Sequence, residues 1–303
     1  VGESGSGKSI TLRALLGLLP RPAQVTKGSI ILDGVDVTGL PDRRRTKLLT
    51  DAMSMVFQDS LTALNPVMRV GDQIAEVPRR RLGMSKPAAH ARAVELMDQV
   101  GIPEPERRFR AYPHQLSGGM RQRVCIAIAL SAEPRLILAD EPTTALDVTI
   151  QAQVLEVIGG LRRDHQLGVV LVSHDLAVIS QTCSRIYVMY AGRVIESGSI
   201  RQLLSLARHP YTFALLRAVP DPDLPVHRLL TIPGQPPDLT AVPAGCSFAP
   251  RCALTEPACR EVDPPLTAVP QEPDHASACI RLETASQWLD WTPVGVPDLV
   301  EKA

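Results

Sequence analysis

The first two thirds of the chain alternate short apolar runs with segments of helical periodicity. Apolar runs bounded by polar or turn residues predict a short strand ending in a turn at 28–34 and further strands at 53–57, 136–141 and 169–173. Residues 60–110 are predicted to be mostly helical, because apolar side chains recur at helical spacing through 88–100, at Ala89, Ala93, Leu96, Met97 and Val100. Strands that alternate with helices indicate an α/β fold.

The segment Gly2 to Ser9, GESGSGKS, fits the pattern of a phosphate-binding loop. Its glycines allow backbone N–H groups to turn inward around an anion, and the predicted helix at 10–19 directs its positive N-terminal end toward the same point. In this pattern the side chain of Lys8 can reach nucleotide phosphates, and the hydroxyl of Ser9 can ligate Mg²⁺. A chance glycine-rich turn is the alternative that this spacing disfavours. The candidate phosphate and metal residues are Gly2, Ser4, Gly5, Gly7, Lys8 and Ser9.

Two further segments carry candidate chemistry. The predicted strand at 136–141 ends in Asp140 and Glu141, and in phosphate-loop proteins an aspartate at such a strand end holds Mg²⁺. A second carboxylate beside it can accept a proton from an attacking water, although surface acids are the ordinary alternative. Ser117 is well placed to cap a helix that starts at Gly118 and Gly119. An ordinary helix start is the alternative there.

Composition and charge narrow the class of protein. The 303 residues are 45% hydrophobic and have a formal net charge of zero, which excludes global disorder and argues against a nucleic-acid binder with a strong basic field. No apolar run approaches the roughly 18 residues that a membrane span needs, and no signal peptide is visible. We therefore expect a soluble, intracellular chain that meets a membrane only through a partner.

Proline usage divides the chain. Residues 1–209 hold 11 prolines and the remaining 94 hold 16, which predicts a domain boundary near His209-Pro210, with one domain at 1–208 and a Pro- and Cys-rich module at 209–303. A phosphate loop normally follows a buried strand, and here Val1 alone precedes it. We therefore expect that the natural N-terminal segment is missing.

The six cysteines fall into two groups. Cys125 and Cys183 lie in predicted helices and are expected to be small buried apolar residues. The others cluster in the proline-rich part, at Cys246, Cys252, Cys259 and Cys279. An intracellular chain argues against disulfides, and the spacing lacks the close pairs of most zinc ribbons. Three near cysteines and one distant one suit an iron–sulfur cluster, with zinc as the second reading and free thiols as the third.

Six motifs in order resemble the nucleotide-binding subunit of an ABC transporter over residues 1 to about 205. They are the phosphate loop, the glutamine loop at Gln58, the signature at 116–120, the acidic strand end, the loop Ala145-Leu146-Asp147, and His174. The resemblance implies a P-loop ABC ATPase with a mixed sheet and a helical subdomain over about 60–135.

The resemblance also implies a role for each residue. Lys8 and the loop would bind ATP, and Ser9, Gln58 and Asp140 would contact Mg²⁺ directly or through water. Glu141 would polarise the attacking water, and His174 would contact the γ-phosphate. The residues that would act at the interface with a second ATPase subunit are Ser117, Gly118, Gly119 and Asp147. The family's aromatic residue that stacks on adenine would precede Val1.

Four stretches resemble the oligopeptide and dipeptide importers, a branch that includes nickel importers. They are 57–66, the signature with Met120, His209-Pro210-Tyr211-Thr212 with Leu215-Leu216, and 232–237 before the cysteines. This resemblance covers the chain to about residue 282, and the tail with Trp288 and Trp291 stays unplaced. Some members carry a [4Fe-4S] cluster at a similar cysteine motif.

The branch implies an ATPase motor for peptide uptake at the cytoplasmic face of the inner membrane. Its partners would be a second, different ATPase subunit, two membrane permease subunits and, indirectly, an extracytoplasmic solute-binding protein, with no nucleic acid. Import of nickel or another small solute is the alternative within this class. A non-transport ABC ATPase lacks support, because neither a second cassette nor a long coiled coil is evident. A regulatory module with a dead ATPase is disfavoured by the presence of Glu141 and His174.

Overall fold

A computed structural model describes residues 1–144, 146–164, 167–218 and 232–282. Ala145 of the predicted interface loop and the tail from residue 283 lie outside the described residues. The chain divides into two compact units. One is Ser9–Val172, and the other joins Val1–Lys8 to the residues from Ser173 onward. The boundary predicted near residue 208 stays a prediction.

The unit Ser9–Val172 contains a parallel sheet in the order β3–β4–β5. Its strands are Met53–Val56, Leu136–Asp140 and Gly168–Val172, which confirms the strands predicted at these places. A small hairpin, β1 (Ile31–Leu32) and β2 (Val35–Asp36), lies apart from this sheet. The sheet core packs Leu138 and Val172 against Leu12.

The helices of this unit confirm the predicted helical region. Its helices are α1 (Lys8–Leu15), α2 (Asp42–Ala52), α3 (Ser60–Ala63), α4 (Val70–Arg81), α5 (Lys86–Gln99), α6 (Pro105–Phe109), α7 (Gly118–Leu130) and α8 (Val148–Asp164). The predicted apolar face of α5 is buried, since Ala89, Ala93, Leu96 and Met97 are all almost inaccessible to solvent. Ser85 caps this helix by accepting a hydrogen bond from the N–H of Ala88.

Three sequence predictions need correction at their ends. α1 stops at Leu15 rather than at residue 19, because Gly17 adopts a positive φ of 68° and the N–H of Leu18 donates to the carbonyl of Arg13. The short strand predicted within 28–34 begins only at Ile31, and Asp33 and Gly34, which both have positive φ, form the turn that was predicted at its end. Cys183 lies just beyond its predicted helix and is partly exposed rather than buried.

The second unit is built on an antiparallel sheet in the order β6–β7–β9–β8. Its strands are β6 (Arg185–Tyr190), β7 (Arg193–Ser199), β8 (Thr267–Ala268) and β9 (Ala276–Ser277), and its helices are α9 (Leu176–Thr182), α10 (Ile200–Leu206), α11 (Pro210–Arg217) and α12 (Pro257–Glu261). Ala191 and Gly192 both have positive φ, as a tight hairpin between β6 and β7 requires. The Cys-rich segment thus adds strands to a sheet that begins at residue 185.

A buried ionic cluster holds the Cys-rich segment to this sheet. Glu196 of β7 and His275 are both inaccessible to solvent, and His275 Nε2 lies 2.8 Å from Glu196 Oε1. Its other ring nitrogen lies 2.5 Å from Glu272 Oε2, and Glu272 also pairs with Arg208. The backbone N–H groups of Arg208 and His209 donate to Glu196 as well. Removing one of these buried charged groups would destabilise the fold, because its partner would keep a buried charge with no opposite charge beside it.

This cluster predicts a pH-dependent stability. Burial alone would lower the pKa of His275, but its bonds to Glu196 and Glu272 outweigh burial and raise that pKa above its ordinary value. The contribution of His275 to the free energy of unfolding is therefore fully present below the pKa of about 6.5 that the histidine has in the unfolded chain. This contribution is lost as the pH rises through the higher pKa of His275 in the folded protein. We expect His275→Gln to cost roughly 3 kcal/mol at acidic pH and less at higher pH.

Thermal unfolding of the wild-type protein and of His275→Gln, measured at several pH values, would give this difference in stability. The exposed His114 supplies a matched control, and His114→Gln should leave the profile unchanged. An equal loss of stability for His275→Gln at every pH would contradict the assignment of charge to His275.

Among the described residues, no helix combines the length and apolar character needed to cross a membrane.

Candidate nucleotide-binding and catalytic site

The phosphate loop has the backbone shape that its glycines predict. Gly2, Gly5 and Gly7 adopt positive φ values of 146°, 80° and 98°. A Cβ atom on Gly2 would lie 2.2 Å from the carbonyl oxygen of Met189, so only glycine fits at this position. Ser4 is exposed at the tip of the loop.

Lys8 is buried beneath the loop and closes it. Its ammonium group donates to the carbonyl oxygens of Gly2 at 2.8 Å and Glu3 at 2.9 Å, and it lies 3.4 Å from the hydroxyl of Ser6. Lysine has three donors and no acceptor, so these oxygens satisfy it in the absence of an anion. A bound phosphate would compete with these carbonyl oxygens for the ammonium group.

The hairpin of β6 and β7 supports the loop from one side. The N–H of Met189 donates to the carbonyl of Val1 at 2.8 Å, and the N–H of Gly192 donates to the carbonyl of Ser6 at 3.0 Å. His174 belongs to the same unit and is exposed in the turn before α9. The N–H of Asp175 donates to the Ser173 hydroxyl, which shapes this turn.

In the other unit, the structure brings Ser9 and Asp140 together. The Ser9 hydroxyl donates to Asp140 Oδ1 at 2.9 Å, and Asp140 ends β4 with 3% of its surface exposed. A hydroxyl and a carboxylate at this distance supply the oxygen ligands that Mg²⁺ prefers. These two residues therefore fit a shared metal site.

Glu141 follows directly and is held in an unusual conformation. It adopts a left-handed φ of 45°, and its N–H donates to the carbonyl of Val172 at 3.0 Å. Its Oε2 accepts hydrogen bonds from Gln58 Nε2 at 3.2 Å and from the Thr144 hydroxyl at 2.8 Å. Backbone conformations of this kind persist where the surroundings enforce them, often at functional sites. Thr144 was not among the residues predicted from the sequence, although its spacing of three residues from Glu141 could have suggested it.

The signature residues open a helix as predicted. Ser117 caps α7, its hydroxyl accepting from the N–H of Met120 at 3.3 Å. Gly118 and Gly119 are the first residues of that helix, and a Cβ on Gly119 would lie 2.4 Å from a methyl group of Ile150. Asp147 in turn accepts from the N–H of Ile150 at the start of α8. These contacts position the signature and Asp147 without assigning them a ligand.

The four clustered cysteines converge on one cavity. Cys246, Cys252, Cys259 and Cys279 all line a partly open pocket, and all are free thiols. Burial raises the pKa of Cys279 to about 11 and also raises the pKa values of Cys246 and Cys252. Within the described ranges, no group of three or more His, Cys, Asp or Glu side chains is arranged to hold a metal ion. Four thiols are the donor type that a soft metal prefers, but the described side chains are not arranged as a metal site.

Family comparisons agree with both parts of the chain. The ABC transporter family model matches residues 1–144, and the model of the oligopeptide/dipeptide transporter C-terminal region matches residues 195–259. The oligopeptide transport ATP-binding protein OppD of Salmonella typhimurium is 46% identical over 93% of this chain and 83% of its own length. OppD of Mycobacterium tuberculosis is 50% identical over 93% of this chain. The chain spans 46% of the length of that mycobacterial relative.

Solved structures give the same family. The dimeric bacterial ABC transporter cassette MJ0796 is 32% identical, with a TM-score of 0.58, over 66% of this chain and 83% of its own. A post-hydrolysis dimer of that cassette with ADP and Pi gives a TM-score of 0.57. With the loop, acidic strand end and signature positioned as described, these likenesses confirm the predicted α/β ABC ATPase fold. The chain belongs to the ABC transporter family, and it is similar to proteins named for oligopeptide transport ATP binding.

Proposed function

We propose that this chain is the ATP-hydrolysing motor subunit of an ABC importer that takes up di- and oligopeptides. One observation carries the proposal: phosphate-loop and acidic residues suited to ATP hydrolysis lie in the same chain as a segment matching the oligopeptide/dipeptide transporter C-terminal region. The relatives named for oligopeptide transport support it over nearly the whole chain.

The candidate residues each have a role in the proposed chemistry. Lys8 and the amides of its loop bind the β- and γ-phosphates, for which Lys8 exchanges its carbonyl partners for phosphate oxygens. Ser9 and Asp140 hold Mg²⁺, which neutralises charge on the phosphates when bound. Glu141 orients the attacking water and accepts its proton. Gln58 contacts the metal or its water shell, and His174 contacts the γ-phosphate.

We propose that the working form contains two ATPase subunits. Ser117, Gly118 and Gly119 present backbone N–H groups at the start of α7, the kind of site that binds phosphate, and they would bind the ATP of the partner subunit. Asp147 lies at the interface in this arrangement. The dimeric cassette among the solved relatives supports two subunits, and we favour a heterodimer. Closure around ATP would drive two permease subunits from the cytoplasmic face of the membrane, with an extracytoplasmic binding protein delivering the solute.

We further propose that the four cysteines hold a [4Fe-4S] cluster. Their shared cavity and free thiols support this, and because the described side chains are not arranged as a metal site, they must shift to ligate the cluster. Because burial raises the pKa values of Cys246, Cys252 and Cys279, ligation displaces protons and becomes weaker as the pH falls. The cluster would pin a segment that has little regular secondary structure.

Elemental analysis tests the cysteine proposal. Protein purified without oxygen is expected to contain iron and sulfide, and Cys252→Ser should lose most of both, because it removes one thiolate ligand. Cys183→Ser, outside the cavity, is the matched control and should retain them. Zinc in place of iron would establish the alternative metal, and absence of iron, sulfide and zinc from the wild-type protein would leave four free thiols.

Solute uptake tests the proposed function. A strain that lacks the gene is expected to lose uptake of a labelled short peptide while uptake of labelled nickel is unchanged. Loss of nickel uptake with normal peptide uptake would establish the alternative solute. Retention of both would contradict an importer for either solute.

A further inference from the structure

Glu3 of the phosphate loop is held at each of its polar groups. Its N–H donates to the hydroxyl of Tyr211 at 2.8 Å. Its carbonyl accepts from Lys8 at 2.9 Å and from the N–H of Ser6 at 3.2 Å. Its carboxylate pairs with both terminal nitrogens of Arg251, at 2.7 and 3.0 Å. Two of these partners, Tyr211 and Arg251, come from beyond residue 209.

Arg251 is itself fixed before it reaches Glu3. Its side chain is 5% exposed, and its Nε donates to the carbonyl of Pro233 at 2.8 Å. A terminal nitrogen also lies 3.3 Å from the hydroxyl of Tyr190. The guanidinium is therefore held as a rigid fork, the geometry that suits a bidentate bond to a carboxylate.

Tyr211 is equally well fixed. It is inaccessible to solvent, and its ring packs against Tyr190 and Phe248 with ring centroids 4.7 and 5.3 Å away. Pro210 at the first position of α11 and the ring of His209, which accepts from the N–H of Tyr211, set the start of this helix. The general ATPase chemistry uses neither the His-Pro-Tyr stretch nor the segment before Cys252. Both nevertheless contact the same residue of the phosphate loop, Glu3.

We propose that Arg251 and Tyr211 are positioning residues that brace the phosphate loop for ATP. Two physical reasons support this. A carboxylate in a phosphate loop repels the incoming polyphosphate, and the paired guanidinium cancels that charge. When Lys8 turns to phosphate it releases the carbonyls of Gly2 and Glu3, and the bonds from Tyr211 and Arg251 keep Glu3 in place. The inference rests on the proposed function, in which this loop binds ATP.

Contacts that only stabilised the fold would look the same in the structure. The test must therefore measure ATP affinity and folding stability separately. We would compare ATPase KM, kcat and melting temperature for Arg251→Met, Tyr211→Phe and Glu3→Gln/Arg251→Met in the complex that co-purifies with the chain. Arg251→Met is expected to raise the KM for ATP about tenfold with kcat within about twofold, because a charge-assisted bidentate pair is lost beside the phosphates. Tyr211→Phe should raise KM about threefold.

The double variant tests the route through Glu3. Removing the carboxylate together with its partner leaves no uncompensated charge, so Glu3→Gln/Arg251→Met should return KM to within about threefold of wild type. Arg281 is the matched control, since it also bonds a carbonyl (Leu254) and a carboxylate (Glu256) in the same segment. Arg281→Met should leave KM unchanged.

Three results would overturn the brace. The first is a lower melting temperature with an unchanged KM for ATP in Arg251→Met. The second is an equal rise of KM in Arg281→Met. The third is a KM in the double variant at least as high as in Arg251→Met. Failure of the wild-type protein to bind ATP would overturn the proposed function as well, and the wild-type measurement therefore separates the two cases.

Discussion

Replacing Glu141 with glutamine is expected to slow ATP hydrolysis by about 10²–10⁴-fold while ATP binding is retained. The amide oxygen can accept the same two hydrogen bonds that Gln58 and Thr144 now donate to Oε2. The site geometry is therefore kept, but the group can no longer take a proton from water. Without hydrolysis, the two subunits should remain closed around ATP.

Single-turnover hydrolysis and equilibrium ATP binding would measure these two effects separately. Glu133→Gln is a matched control, because Glu133 is a glutamate of the same unit that also adopts a positive φ, of 52°. It should hydrolyse ATP at the wild-type rate. Wild-type hydrolysis by Glu141→Gln would show that another group activates the water.

Replacing Lys8 with alanine is expected to weaken ATP binding by more than about tenfold and to reduce turnover further, because in the proposed site the ammonium group would bond the β- and γ-phosphates. The substitution also removes the donor that joins Gly2, Glu3 and Ser6. Lys8→Met keeps the buried aliphatic stem while removing the charge. Both variants should therefore lose affinity, and Lys8→Met should keep more of the stability.

Equilibrium titration with ATP and Mg²⁺ measures the effect of Lys8. The exposed Lys47 of α2 is the control, and Lys47→Ala should bind ATP normally. Unchanged affinity in both Lys8 variants would show that this loop is not the phosphate site.

Much of the local structure around the candidate nucleotide-binding residues could be predicted from short stretches of sequence. The glycine spacing before Lys8, the cap at Ser117 and the apolar run into Asp140 each act over a few residues, and the structure has each in the predicted form. The position of Gln58 beside Glu141 depends on the parallel pairing of β3 with β4. Here the resemblance supplied what periodicity could not, since register between distant strands is not visible in one sequence.

The structure departs from the sequence predictions, or adds contacts that they did not include, where tertiary or turn geometry decides the outcome. The end of α1 was set by Gly17, whose positive φ an apolar pattern does not reveal. The bond between Glu3 and Arg251 spans 248 residues, and neither residue type signals its partner. Likewise, the burial of Glu196 with His275 could not be anticipated, because buried charges are rare and depend on the groups that surround them.

The most direct test of the account is the initial rate of labelled peptide uptake in a strain that lacks the gene and carries one plasmid copy of it. The wild-type copy is expected to restore uptake, whereas equally expressed Lys8→Ala and Glu141→Gln copies should leave it near the level of the deletion strain. Uptake at the wild-type rate with either variant would contradict the claim that ATP hydrolysis by this chain drives peptide import.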